Sequence, residues 1–148
     1  MKKIIGCGNL LLKDEGIGVH LIEYLKNQPL PGNVELIDGA TGGFDLMPHI
    51  LGAEKVVIVD AIRAEGKPGD IYKFTPDDFS TDSFPKTSLH DITLKDIFQL
   101  MQKLGTVPPI VIFGVQPKVM EWGMELSEEI EKILPKLSKL VIEEIRKD

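Results

Sequence analysis

The side chains best suited to binding a metal belong to Glu15, Asp60 and His90. These three residues lie far apart in the sequence. Two carboxylates and one imidazole without a thiolate suit a divalent transition metal that keeps coordination positions for water or substrate. Asp38 is a further acidic residue, which could position a substrate or transfer a proton. The sequence therefore raises the hypothesis of a metal site, provided that the fold brings these residues together.

Each candidate ligand also has a structural explanation. An aspartate at the end of a strand, such as Asp60, often accepts hydrogen bonds from the turn that follows it. Glu15 could favour the positive end of the first helix, and His90 lies in a segment, residues 88–91, that is similar to a capping box. Asp14 could be the metal ligand in place of Glu15, because spacing alone does not distinguish the two residues.

The apolar residues alternate between short β-branched runs and helical stripes, which is typical of a mainly parallel sheet covered by helices. The predicted strands comprise residues 3–7, 34–38, 55–61, 70–74 and 110–116. The predicted helices comprise residues 18–25, 44–51 and 94–104, and a last helix from Ser127 to Ile145 that Pro135 should bend. We expect a single α/β domain over residues 1–148.

The connection between the third and fourth predicted strands determines where the candidate residues meet. Residues 62–69 are too few for a parallel crossover, which usually needs about a dozen residues or more, so the fourth strand should be antiparallel. The third helix then begins at the edge where the parallel strands end, which places His90 there. Asp38, Asp60 and Gln116 end strands at that same edge, where open α/β sheets bind their ligands.

The remaining reactive or aromatic side chains have less specific interpretations. His20 and His49 lie in amphipathic segments and are expected to be solvated or hydrogen-bonded rather than metal ligands. Cys7 lies within a strand covered on both faces, which predicts a small buried hydrophobe rather than a nucleophile. Trp122 could anchor the loop after the fifth strand to the core or form an exposed recognition surface.

A dinucleotide-binding turn is the obvious alternative for the glycines that follow the first strand. Gly6 and Gly8 match the start of the G-x-G-x-x-G pattern, but Leu11 occupies the position of the third glycine. Asp14 and Glu15 would also place negative charge where a pyrophosphate should bind. The nucleotide hypothesis is therefore disfavoured.

Charge and composition restrict the partners and the compartment. The net charge of −6 argues against general binding to nucleic acid or to anionic membranes. The single cysteine cannot form an internal disulfide, which fits a reducing compartment. No apolar run approaches the roughly 20 residues that a membrane span requires, so we expect a cytoplasmic protein without membrane insertion.

Five blocks of the sequence, in the same order, resemble the hydrogenase maturation protease family. They are residues 6–18 (GCGNLLLKDEGIG), 38–43 (DGATGG), 57–61 (VIVDA) with a later Pro68-Gly69, 87–90 (TSLH), and 114–117 (GVQP) leading to Leu126-Ser127. The resemblance spans nearly the whole chain. Each block is short, but five in order are highly specific.

The resemblance implies a three-layer α/β/α fold with a mixed, mainly parallel five-stranded sheet whose fourth strand is antiparallel. It implies that Glu15, rather than Asp14, binds a metal together with Asp60 and His90. In this family the metal is nickel, supplied by the substrate, and another divalent cation could occupy the site in vitro. The implied activity is that of an endopeptidase that removes the C-terminal extension of a nickel-loaded hydrogenase large-subunit precursor.

Two questions stay open at this point. The nickel could polarise the scissile carbonyl or activate water, or it could only position the peptide for a carboxylate-assisted, aspartic-type cleavage in which Asp38 takes part. The alternative function is a metal-checking assembly factor that binds the precursor without cutting it. In either case we expect a monomer whose partner is the precursor and which binds no nucleic acid.

Overall fold

The structure, a computed structural model, describes residues 1–40, 43–80, 86–87 and 94–147. Its strands are β1 (Lys2–Cys7), β2 (Val34–Ala40), β3 (Lys55–Arg63), β4 (Ile71–Phe74), β5 (Lys86–Thr87) and β6 (Ile110–Val115). Five of them form one mixed sheet in the order β2-β1-β3-β6-β4. Neighbouring strands in this order are parallel except β4, which is antiparallel to β6.

Helices cover both faces of the sheet. They are α1 (Ile17–Leu25), α2 (Met47–Leu51), α3 (Leu94–Leu104), α4 (Glu128–Glu131) and α5 (Leu134–Arg146), with short 3-10 helices at Lys13–Gly16, Phe44–Leu46 and Pro76–Ser80. The apolar faces of α1 and α5 pack on one side of the sheet, and those of α2 and α3 pack on the other. The predicted three-layer α/β/α fold with an antiparallel fourth strand is therefore confirmed.

The central strand β3 shows why the sheet needs helices on both sides. Its side chains alternate between the faces, so Val57 and Val59 pack towards α1 and α5, whereas Val56 and Ile58 pack towards α2 and α3. Both faces are apolar, as expected of a strand buried on both sides. The same alternation places Asp60 on the side of α2 and α3.

The sequence predicts one bent helix at the end of the chain, whereas the structure has two separate helices. α4 ends at Glu131, and α5 begins at Leu134 with Pro135 in its first turn. Proline has no backbone N–H and its ring clashes with the carbonyl four residues earlier, so the chain breaks the helix and starts a new one instead of bending it. Ser127 occupies the predicted N-cap position but makes no side-chain capping bond.

Residues 75–87, to which the sequence assigns neither a strand nor a helix, contain regular structure at both ends. The 3-10 helix Pro76–Ser80 opens the segment, and β5 closes it by pairing antiparallel with Ile62 and Arg63 of β3.

Among the helices of the described ranges, none combines the length and the apolar character needed to cross a bilayer.

Candidate functional site

Close packing between β1 and α1 sets the position of the candidate site. A Cβ atom on Gly18 would lie only 2.5 Å from the backbone nitrogen of Cys7, and one on Gly6 would collide with the Gly18 carbonyl. Gly8 has a φ of +142°, and its Cα faces the Glu15 carbonyl so closely that a side chain could not fit. The two glycines of the G-x-G pattern thus let the backbone turn and pack, without any need for a phosphate ligand.

Glu15 lies in the 3-10 helix Lys13–Gly16, which contacts β3. The residue is 1% exposed, and its Oε2 atom has no hydrogen-bond partner within the described part of the chain. Burying a carboxylate without a donor is costly unless the group is neutralised or paired with a positive charge. Glu15 therefore presents an oxygen that can accept a cation or a proton.

Asp60 and Asp38 lie on either side of Cys7, at the carboxyl end of the sheet. Gly6 of β1 is opposite Asp38 of β2 and Val59 of β3, so Cys7 and Asp60 each follow a paired residue, and a register shift after Gly6 pairs Cys7 with Ala40. Burial raises the pKa of the Cys7 thiol, and the charges of Asp60 and Asp38 raise it further. The thiol is therefore neutral, and the prediction of a small buried hydrophobe is confirmed.

The two aspartates differ in their exposure to solvent. Asp60 is fully buried, and its Oδ1 accepts a hydrogen bond of 2.8 Å from the Ala61 N–H. Asp38 is exposed, and its Oδ1 accepts a hydrogen bond of 2.8 Å from the Ala40 N–H. Asp38 thereby uses one oxygen to hold the backbone at the end of β2, whereas the Asp60 oxygen bonds to the next residue of β3, a strand that continues to Arg63.

Asp14 has a different role from its neighbour Glu15. Its carboxylate accepts hydrogen bonds from the backbone N–H groups of Lys118 (3.0 Å) and Val119 (2.7 Å). It also accepts bonds of 2.7 Å each from the N–H and the hydroxyl of Ser127. Both oxygens are thus used to fasten the loop after β6, a function that the sequence did not reveal because the partners lie more than a hundred residues away.

The third expected ligand, His90, lies outside the described residues. Within the described ranges, no group of three or more histidine, cysteine, aspartate or glutamate side chains is placed so that it could hold a metal ion. Glu15, Asp38 and Asp60 therefore do not form a complete site by themselves, and the metal-ligand set stays a prediction. Gln116 follows β6 at the same edge, with its Oε1 buried and without a hydrogen-bond partner.

The other two histidines lie where structural roles explain them. His20 on α1 is half-buried; burial lowers its pKa, although its backbone hydrogen bond with Met124 acts in the opposite direction. It lines a cavity of about 430 Å³ whose wall also includes Glu125 and Glu131. His49 lies exposed on α2. The predicted hydrogen bonding of His20 is met by its bond with Met124, whereas its Nε2 is buried without a hydrogen-bond partner within the described residues.

Trp122 is 78% exposed and so does not anchor its loop to the core. Of its two interpretations, the exposed surface is the one that the structure bears out. The loop is held instead by Asp14 and by backbone hydrogen bonds to the segment after β1, because Gly123 donates to the Leu11 carbonyl (2.8 Å) and accepts from the Lys13 N–H (2.9 Å).

Comparisons with known proteins agree with this architecture. A Methanocaldococcus jannaschii protein assigned to the hydrogenase maturation proteases is 34% identical over 97% of this chain and 96% of its own length. The hydrogenase 2 maturation protease of Escherichia coli is 29% identical over 97% of this chain and 89% of its own length.

Solved structures match equally well. The Escherichia coli hydrogenase-maturating endopeptidase HybD superposes with a TM-score of 0.85 at 28% identity, covering 98% of this chain and 91% of that one. The Thermococcus kodakarensis [NiFe] hydrogenase maturation protease HybD superposes with a TM-score of 0.81 at 27% identity, covering 99% of each chain. The family profile for hydrogenase maturation proteases matches residues 19–144. On this evidence the chain belongs to the hydrogenase maturation protease family, whose members are endopeptidases.

Proposed function

We propose that this endopeptidase removes the C-terminal extension of a nickel-loaded hydrogenase large-subunit precursor, and that Glu15, Asp60 and His90 bind the nickel which the substrate carries. The observation that carries the proposal is the buried Glu15 carboxylate, whose Oε2 has no hydrogen-bond partner within the described ranges. A cation brought by the substrate would compensate the cost of burying that charge.

The surrounding residues support a site that is completed by its substrate. Asp60 supplies a second buried carboxylate at the carboxyl end of β3, and the 3-10 helix that holds Glu15 contacts the same strand. Oxygen and imidazole ligands without a thiolate suit a borderline divalent cation such as nickel. In this proposal the substrate supplies the metal, and another divalent cation could take its place in vitro.

Asp38 has a separate part in the proposal. It is exposed, lies at the same edge as Asp60 and holds the turn with one oxygen only. A carboxylate in this position can orient the scissile peptide or take a proton from the attacking water. Asp38→Asn should then lower the cleavage rate while nickel-dependent binding of the precursor persists, whereas a ligand variant should weaken both.

The decisive experiment is incubation with a nickel-loaded precursor, followed by measurement of its intact mass. The wild-type enzyme should remove the tail, and His90→Ala should leave the precursor uncut. His49→Ala is the matched control, because His49 is an exposed histidine on α2 and should not affect cleavage. Equal rates of tail loss in His90→Ala and the wild type would refute the proposed ligand set.

A precursor prepared without nickel provides the complementary test. If the enzyme inspects the metal, the nickel-free precursor should stay intact, and adding nickel to it should restore cleavage. An unchanged mass of the nickel-loaded precursor with the wild-type enzyme would instead favour the non-proteolytic assembly factor. We further propose that the enzyme acts in the cytoplasm as a monomer, which sedimentation of the purified protein can test.

A further inference from the structure

Three large apolar side chains are exposed on two neighbouring loops beside the candidate site. Leu11 is 50% exposed, Trp122 is 78% exposed and Met124 is 57% exposed. Leu11 lies in the loop after β1, and Trp122 and Met124 lie on either side of Gly123 in the loop after β6. We call these three residues the apolar ledge. Aromatic and methionine side chains are enriched in protein interfaces, and clustered exposure of this kind indicates a binding surface.

The backbone beneath the apolar ledge is held firmly. Gly123 bonds to both Leu11 and Lys13, and Leu12 forms a bridge with it. Lys13 has a φ of 45° and Gly123 a φ of +154°, and a Cβ on Gly123 would lie 2.7 Å from Cε of Lys13. An unusual conformation maintained in two adjoining segments fixes the exposed side chains before any partner binds, which lowers the entropic cost of binding.

Hydrogen bonds of the buried Asp14 tie the loop that carries Trp122 to the segment that carries Glu15. The Asp14 carboxylate receives hydrogen bonds from Lys118 and Val119, at the start of the loop that carries Trp122. Its own backbone N–H donates to the Val119 carbonyl over 3.0 Å. The next residue in the chain is Glu15. A protein that brings a metal to Glu15 would therefore meet this loop at the same time.

The charges around the apolar ledge define the chemistry of its partner. Glu121 and Glu125 flank Trp122 and Met124, both are exposed, and neither forms an ion pair with any other residue of the described ranges. Glu131 lines the adjoining cavity. These carboxylates outnumber Lys13, whose side chain passes close to Gly123, and an acidic surrounding of this kind favours a partner that presents apolar side chains flanked by lysine or arginine.

We propose that the apolar ledge docks an apolar segment of the hydrogenase large-subunit precursor that is flanked by basic residues, and so aligns its metal with Glu15. This inference rests on the proposed function, since the occupant is the precursor itself. It adds a recognition surface that lies outside the three expected metal ligands and acts on binding rather than on bond cleavage.

The first test separates binding from cleavage in the intact enzyme. Trp122→Ala combined with Met124→Ser should raise the Kd for the nickel-loaded precursor, and the KM for its cleavage, by about 10-fold or more, with a much smaller change in kcat. Leu104→Ser is the matched control, because Leu104 is 63% exposed at the far end of α3 and should leave both constants unchanged. An unchanged Kd in the double variant would overturn the proposal.

The second test uses the single tryptophan of the chain as a reporter. Enzyme grown with 5-fluorotryptophan should give one fluorine resonance from Trp122, which should shift or broaden when unlabelled precursor is added. A resonance that does not respond to a bound precursor would refute docking at this surface.

A third test removes two charges beside the apolar ledge. Glu121→Gln with Glu125→Gln should make Kd less dependent on salt concentration, because two of the charges that attract the partner are removed.

These outcomes distinguish failure of the inference from failure of the proposed function. If the wild-type enzyme cuts the precursor and the ledge variant cuts it with the same KM, the docking surface is wrong and the function stands. If the wild type binds the precursor through Trp122 but never changes its mass, the surface stands and the proteolytic function is wrong. Sedimentation as a dimer that Trp122→Ala dissociates would assign the surface to a second copy of this chain.

Discussion

Asp14 and Glu15 are adjacent carboxylates and equally buried, yet their surroundings give them opposite roles. Asp14 accepts four hydrogen bonds from residues 118–127, so its charge is compensated within the protein. Glu15 has an oxygen without any partner in the described ranges. The first carboxylate therefore belongs to the architecture, and the second is available to a ligand.

Exchange of each acid for its amide should separate these roles. Asp14→Asn replaces a carboxylate oxygen by an NH2 group that faces N–H donors, and should lower the free energy of unfolding by about 3 kcal/mol. Glu15→Gln replaces a buried carboxylate whose Oε2 has no hydrogen-bond partner within the described ranges, and should change that free energy by less than about 1 kcal/mol. Urea denaturation monitored by circular dichroism at pH 7 measures both values.

The cleavage assay completes this comparison. Glu15→Gln should fold normally and leave the nickel-loaded precursor uncut, which a loss of stability could not explain. If Glu15→Gln proved as destabilising as Asp14→Asn, the assignment of Glu15 to the ligand rather than to the fold would be wrong.

At the scale of elements, the contact between β1 and α1 brings Glu15 to the edge of the sheet. Gly6 and Gly18 allow the backbones of strand and helix to touch, and the 3-10 helix before α1 is thereby pressed against β3. Such an approach is possible only where no side chain separates the two backbones. The glycines of the first motif thus act on the site through packing.

Gly18→Ala should therefore destabilise the fold severely. The added methyl group would meet backbone atoms of Cys7 and Val59, which cannot move aside without disrupting the sheet, and we expect a loss of about 3 kcal/mol or more. Gly32→Ala is the control, because no atom lies within 4 Å of its added Cβ. That substitution should be neutral or slightly stabilising, by up to about 1 kcal/mol. Equal melting temperatures for the two variants would contradict this account of the β1–α1 contact.

At the scale of the whole molecule, one buried ion-pair network joins the start of β3 to the end of α5. Glu144 is 6% exposed and contacts Lys55 at 3.0 Å and Lys73 at 2.7 Å. Burial alone would raise the pKa of Glu144, but the hydrogen bonds and charges of the two lysines outweigh it and lower the pKa to about 2. Lys55 also donates to the Glu144 carbonyl, over 2.6 Å.

This network predicts how stability depends on pH. Because the pKa of Glu144 is lower in the folded state than its ordinary value of 4.5, its contribution is complete above pH 4.5 and is lost as the pH falls towards 2. Between pH 7 and pH 3 the network should lose about 2 kcal/mol of stability. Glu144→Gln should abolish that part of the pH dependence, as urea titrations at both pH values would show.

Glu54→Gln provides the comparison for this prediction. Glu54 pairs with the N-terminal amino group at 2.7 Å, but both partners are exposed, so its removal should hardly alter the pH profile. A Glu144→Gln variant that loses stability between pH 7 and pH 3 as steeply as the wild type would contradict the proposed role of the network.

Local patterns in the sequence are sufficient to predict the order of the main strands and helices, the antiparallel fourth strand and the edge of the sheet at which Asp38, Asp60 and Gln116 lie. Apolar periodicity and connection length carry this information, and both are local properties of the chain. Local patterns do not predict the split of the last helix at Pro135, nor the 3-10 helix and β5 within residues 75–87.

Which carboxylate is compensated and which aromatic side chain is exposed depends on contacts between distant segments of the chain. Asp14 receives its hydrogen bond from Ser127 across 113 positions of sequence, so no spacing rule could separate it from Glu15. Trp122 became an exposed residue because its loop is fastened by polar contacts to the segment after β1 rather than by its own ring. Hydrogen bonds and burial between distant segments exist only after folding, and they determine which side chains remain available for chemistry and binding.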